Sequence, residues 1–150
     1  MEASFVWNWK MGEIFGSFGM ITKELKANIF GQCTTEGDIL SFGFADNDDY
    51  TEHLIISFST EVDQQDEALG WTRYYLDTSF CVGAYSCIEK VSLSKEAFLF
   101  YLNPRGQKHF EVDALIVTPL FSDEERNEAI SALVLVFQDE PHLVLEIVGE

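Results

Sequence analysis

The sequence predicts an α+β fold: a mainly antiparallel β-sheet, arranged as a meander, with one C-terminal helix packed on it. Three observations carry this. β-branched and aromatic residues cluster in short runs from Lys26 to Lys95, each closed by turn-forming residues. The connections are short, which suits antiparallel neighbours. A single segment near the C-terminus combines a helix cap with an apolar stripe. With 150 residues, 47% of them apolar and 14% aromatic, the chain has material for one core, so residues 1–150 are expected to form one domain. Its first 25 residues, with Trp7, Trp9, Phe15 and Phe18, form an extension whose pattern is not readable.

Ala27 to Cys33 and Ile39 to Ala45 read as the first two strands. The loop Thr34-Thr35-Glu36-Gly37-Asp38 joins them, and Gly37 supplies the positive φ that a short hairpin loop demands. Leu40, Phe42 and Phe44 share one face at a spacing of two, while Ser41 and Gly43 leave room on the other for a close neighbour. Asn47-Asp48-Asp49 reads as a turn, because Asn and Asp side chains bond local backbone groups. His53 to Ser59 is a third strand with Leu54, Ile56 and Phe58 on one side. Thr60 to Gly70 has no alternation and reads as a loop or a short helical turn. Trp71 to Asp77 and Cys87 to Ser94 are extended, and Glu96 to Leu102 places Phe98, Phe100 and Leu102 on one face. Asn103-Pro104-Arg105-Gly106 is read as a turn. His109 to Thr118 then alternates Phe110, Val112, Ala114 and Ile116 against Glu111 and Asp113.

Pro119 ends that strand, and Ser122-Asp123-Glu124-Glu125 is a capping box in which the Ser hydroxyl accepts from the Glu125 amide while Glu125 reaches back. Acids in the first turn suit the positive end of the helix dipole. Ile130, Leu133, Val134 and Phe137 form the apolar stripe, although Leu135 and Val136 broaden it enough to leave a late switch to strand open. Gln138-Asp139-Glu140-Pro141 breaks the element, and His142 to Val148 reads as a final strand.

Nine Lys and Arg against 26 Asp and Glu give a net charge of −17. So acidic a chain is repelled by nucleic-acid phosphates and anionic lipid, which excludes direct binding to either. The N-terminus has an acid where a secretory signal carries Lys or Arg. The longest apolar run, Ala129 to Phe137, is far short of a membrane span, so a cytoplasmic location is expected. Cys33, Cys81 and Cys87 match neither a disulfide framework nor a zinc site and read as reduced thiols, although Cys81 and Cys87 could pair across a tight turn. His53, His109 and His142 sit in no catalytic motif, and the Gly-x-Ser-x-Gly, Walker and dinucleotide fingerprints are absent. Asp46-Asn47-Asp48 opens like a calcium loop, but Thr51 and Ser57 stand where the Gly and the closing Glu belong. No cofactor, metal or catalytic residue is assigned.

Charge placement is the informative feature. Between Lys26 and Arg73 there is no basic residue, yet there are ten acids: Glu36, Asp38, Asp46, Asp48, Asp49, Glu52, Glu61, Asp63, Asp66 and Glu67. A solubilising surface accounts for this, and so does a negative face offered to a basic partner, which gains association rate by steering. Trp71, Tyr74 and Tyr75 adjoin the acidic segment as candidate anchors. The partner-binding set read from the sequence is Asp46, Asp48, Asp49, Glu61, Asp63, Asp66, Glu67, Trp71 and Tyr74.

Between Phe44 and Tyr101 stand Phe44-Ala45-Asp46, Ile56-Ser57-Phe58, Gln65-Asp66-Glu67-Ala68-Leu69-Gly70, Tyr74-Tyr75-Leu76, and Tyr85 ahead of Ile88-Glu89-Lys90-Val91-Ser92-Leu93. In this pattern the chain resembles the tenth family of bacterial polymorphic-toxin immunity proteins, with a weaker tail that extends the resemblance over roughly Ile29 to Phe137. Tyr85-Ser86-Cys87 stands where the family often has Tyr and glycines. The resemblance implies a non-catalytic antidote that neutralises a cognate toxin by tight binding; it carries over no contact residue. A basic toxin domain, such as a nuclease, would suit the acidic face. A hydrolase using a carboxylate with a histidine, and a small-molecule or peptide-binding module lined by aromatics, are the alternative functions. The pattern does not give the oligomeric state.

Overall fold

The computed structural model describes residues 20–35, 39–47, 49, 51–59, 74–138, 140 and 143–148. Gly37, Thr60 to Gly70, His142 and the N-terminal aromatics lie outside them, as does the side chain of Cys33. The α+β class holds. The described strands form two five-stranded sheets where the sequence suggested one meander.

The first sheet consists of consecutive hairpins: β2 (Ile29–Thr35), β3 (Ile39–Ala45), β4 (His53–Ser59), β5 (Tyr74–Thr78) and β6 (Cys81–Tyr85), all antiparallel. Strand β6 follows the Ser79-Phe80 turn and has too little alternation to stand out in the sequence. The second sheet has the order β1 (Thr22–Ala27), β9 (Ala114–Pro119), β8 (Phe98–Leu102), β7 (Ile88–Leu93), β10 (Val144–Ile147). Its edges are parallel pairs, β1 with β9 and β10 with β7. The expected strand starting at Ala27 is therefore split: the chain leaves one sheet at Ala27 and enters the other at Ile29.

His109 to Thr118 is only partly strand. Asn103 starts a short helix, α1 (Pro104–Phe110), its Oδ1 accepting from the Gly106 amide at 2.9 Å, and Glu111 ends it at φ 63°. The Asn-Pro signal, expected to be a turn, opens a helix instead, because a type I turn and a first helical turn share the same backbone region. Gly106 is required there, since a Cβ would lie 2.4 Å from the Cys87 carbonyl oxygen.

The second helix, α2 (Asp123–Phe137), begins as the sequence indicates, with Ser122 Oγ accepting from the Glu125 amide at 3.1 Å. The Glu125 carboxylate returns to the Ser122 hydroxyl. No late switch occurs; the helix runs to Phe137 and β10 follows. Its core face is Ala129, Ala132, Leu133, Val136 and Phe137, with Ile130 and Val134 half-buried and Leu135 exposed.

One buried cluster draws on both sheets and α2. Phe44 packs on Phe98 across the sheets (5.7 Å between centroids), and Phe121 stacks on Phe44 at 6.2 Å. Tyr74 of β5 meets Phe137 edge-on at 5.1 Å, and its hydroxyl bonds the backbone of Ile88, accepting from N at 3.1 Å and donating to O at 3.4 Å. One phenol thus ties the hairpin sheet to β7.

Candidate functional site

Strand parity decides what the hairpin sheet shows to solvent. Phe42 faces Ile56, Phe44 faces Leu54 and Phe58 faces Tyr74, all buried, as the spacing of two anticipates. The opposite face carries Gly31, Ser41, Gly43, Ile55, Ser57, Tyr75, Asp77 and Tyr85. Ser41 and Ser57 hydrogen-bond at 3.1 Å, and Tyr75 lies edge-on to Tyr85 at 4.8 Å. A Cβ on Gly43 would lie 3.0 Å from Ile55 Cγ1 and 3.1 Å from the Leu54 carbonyl oxygen, so the close neighbour there is β4, whereas a Cβ on Gly31 would meet nothing within 4 Å. An open, largely apolar trough of about 460 Å³ results, with Ile29, Gly31, Gly43, His53 and Ile55 along it.

Acids stand at one end of this face, in the β3–β4 turn. The turn is built by Asp46, whose Oδ1 accepts from the Glu52 amide at 3.0 Å, while the Asp49 amide donates to Asn47 Oδ1 at 2.9 Å. Asp49 and Glu52 are exposed; Asp46 is half-buried and engaged with its own turn. Asp48, Glu61, Asp63, Asp66, Glu67 and Trp71 lie outside the described residues.

Tyr74 departs from the role proposed for it: 2% exposed, it is a core residue and is not offered to a partner. Burial holds its phenol well above the ordinary tyrosine range, against the smaller opposing effect of the Ile88 hydrogen bond. Its neighbour Tyr75 faces outward, opposite Ser57. The signal was present, because Phe58 is apolar and Ser57 is not, but using it required the β4–β5 register.

The five strands of this sheet contain no Lys or Arg, and Asp77 is their one carboxylate. Every described cation lies elsewhere: Lys23 and Lys26 on β1, Lys90 on β7, Lys95 after it, Arg105 and Lys108 on α1, Arg126 on α2. Several are engaged locally. Lys90 pairs with Glu146 at 3.1 Å, Arg126 with Asp123, and Lys23 lies 4.9 Å from the centre of the Phe80 ring. His109 Nε2 is 2.8 Å from the Val82 carbonyl oxygen. Cys81 and Cys87 are free thiols, and burial pushes Cys87 up to about 12.

Among the described residues no helix is long and apolar enough to cross a membrane. In comparison with known proteins, the family model described as Immunity protein 10 matches residues 26–129. No curated protein and no solved structure matches the chain.

Proposed function

This chain belongs to the Immunity protein 10 family, and from that premise we propose that it is a cytoplasmic antidote that occludes a basic toxin domain through an acidic surface contributed by the segment 46–67. The family carries the immunity role. The acidic mode of binding rests on one observation, the segregation of charge: every described Lys and Arg lies off the β2–β6 strands, while Asp49 and Glu52 project from that sheet's β3–β4 turn.

A toxin that grips phosphate, such as a nuclease, needs Lys or Arg in its cleft. Carboxylates from 46–67 take the place of that polyanion and block the substrate's own site, so inhibition needs no catalysis by the antidote. Complementary fields also speed encounter and make association fall with salt. Asp63, Asp66 and Glu67 remain proposed contacts, together with Asp48, Asp49, Glu61 and Trp71; Asp46 contributes by shaping the turn.

The test is joint neutralisation, Asp63→Asn with Asp66→Asn and Glu67→Gln, measured against the cognate toxin domain, to be sought as a compact basic domain at the end of the preceding reading frame. Association should slow and its dependence on salt should flatten. Unchanged affinity with an unchanged salt slope would remove this segment from the interface. Survival of toxin-expressing cells without the protein would remove the immunity role for that toxin.

A further inference from the structure

The four sheet edges are not equally protected. A free edge carries unpaired N–H and C=O groups and is normally blunted by charge or covered. The β6 edge is engaged by α1 at its start, where His109 Nε2 lies 2.8 Å from the Val82 carbonyl oxygen and Cys81 Sγ donates to the His109 carbonyl at 3.5 Å. Strand β1 carries Lys23, Glu24 and Lys26, and the four-residue β10 carries Glu146 in its ion pair with Lys90. Strand β2, Ile-Phe-Gly-Gln-Cys-Thr-Thr, has neither charge nor proline, and among the described residues no strand lies beyond it.

Both flanks of that edge are hollow. On the outer side lies the apolar trough over Gly31 and Gly43. On the inner side a groove of about 520 Å³ runs between β2 and the solvent face of α2, lined by Gln32, Glu124, Asn127, Glu128, Ser131 and Leu135. Leu135 is 52% exposed, an apolar side chain beside two carboxylates. Side chains of an added strand point alternately to the two faces of a sheet, so they would enter the two hollows in turn.

Resting on the immunity reading, we propose that the toxin is held by strand addition at β2: an extended toxin segment pairs with this edge, sets Lys or Arg side chains against Glu124 and Glu128, and sets apolar ones in the trough over Gly31. The acids favour a basic segment. Leu135 receives the aliphatic stem of a Lys or Arg whose charged end meets the carboxylates. Gly31 leaves the outer hollow open, and main-chain pairing supplies affinity that does not depend on the segment's exact sequence.

The experiment is amide hydrogen exchange on the full chain, alone and bound to the same toxin domain, with two variants beside it. Glu124→Arg with Glu128→Arg reverses the inner groove. Gly31→Phe fills the outer one, where a Cβ would meet nothing within 4 Å. Binding should slow exchange at alternate amides of Ile29–Thr35, and each variant should weaken the complex by roughly tenfold or more. A tight complex with β2 exchange unchanged and both variants at full affinity would overturn strand addition while leaving the immunity role standing. Absence of any complex with that toxin would overturn both together.

Discussion

The two sheets of this protein are made in different ways. The β2–β6 sheet is a run of neighbours, each strand paired with the next in sequence, and its strands carry no cation. The β1-β9-β8-β7-β10 sheet is assembled from distant segments, with Thr22 beside Ala114 and Val144 beside Lys90, and its strands carry Lys23, Lys26 and Lys90. The difference separates two tasks. The mixed sheet closes the fold and pairs its own charges, Lys90 with Glu146 at 3.1 Å, while the Thr118 hydroxyl donates to the Glu24 carboxylate at 2.7 Å. The hairpin sheet has no such balance on its strands and presents two hollows beside an edge that no strand pairs with among the described residues.

The join between the sheets is where this contrast can be broken most severely. Phe44→Ala removes a ring, 1% exposed, that contacts Phe30, Phe98 and Phe121, and it should cost about 3–5 kcal/mol in denaturant unfolding. High pH attacks the same region. Cys87 is raised from 9.0 to about 12 by burial, and the buried Tyr74 phenol is raised in the same direction. A group that holds its proton more tightly when folded gives its full stability below its unfolded value and loses it on deprotonation. Stability should therefore be level up to about pH 9 and fall from there towards about pH 12. A flat profile to pH 12 would contradict the burial of both groups.

Tyr74→Phe sharpens the comparison by keeping the ring against Phe137 while leaving the buried Ile88 amide without its acceptor. A loss of about 1–3 kcal/mol is expected, read by thermal and denaturant unfolding. The smallest effect belongs to the solvent face of the hairpin sheet. A Cβ at Gly83 would lie 2.5 Å from the end of the Tyr75 ring, but that ring can swing away, so Gly83→Ala should cost about 1 kcal/mol or less. Displacement of Tyr75 from Tyr85 should show as changed near-ultraviolet dichroism.

The hairpin sheet was the more legible of the two for a physical reason. Register between neighbours is fixed over a few residues by alternation, so His53–Ser59 and Ile39–Ala45 appear in the sequence with their observed bounds. Strand β1 and its parallel partner β9 are separated by most of the chain, and local pattern says nothing about such a pair. Burial on β9 also runs continuously through Ala114, Leu115, Ile116 and Val117, so alternation gave no guide to its face. The proposed binding face is legible as charge and not as geometry. The Lys26 to Arg73 gap is visible in the letters, but which tyrosine points outward is not.

Composition and local pattern alone determined the α+β class, the hairpin order, the capped helix and the acidic imbalance, because each depends on neighbours within a few residues. Tertiary structure decided the division into two sheets, the burial of Tyr74 with Tyr75 left outside, and the place of β2 at a sheet edge among the described residues. Those depend on which distant segments cover which faces, and in a chain whose apolar runs could pack in several ways, only long-range pairing selects among them.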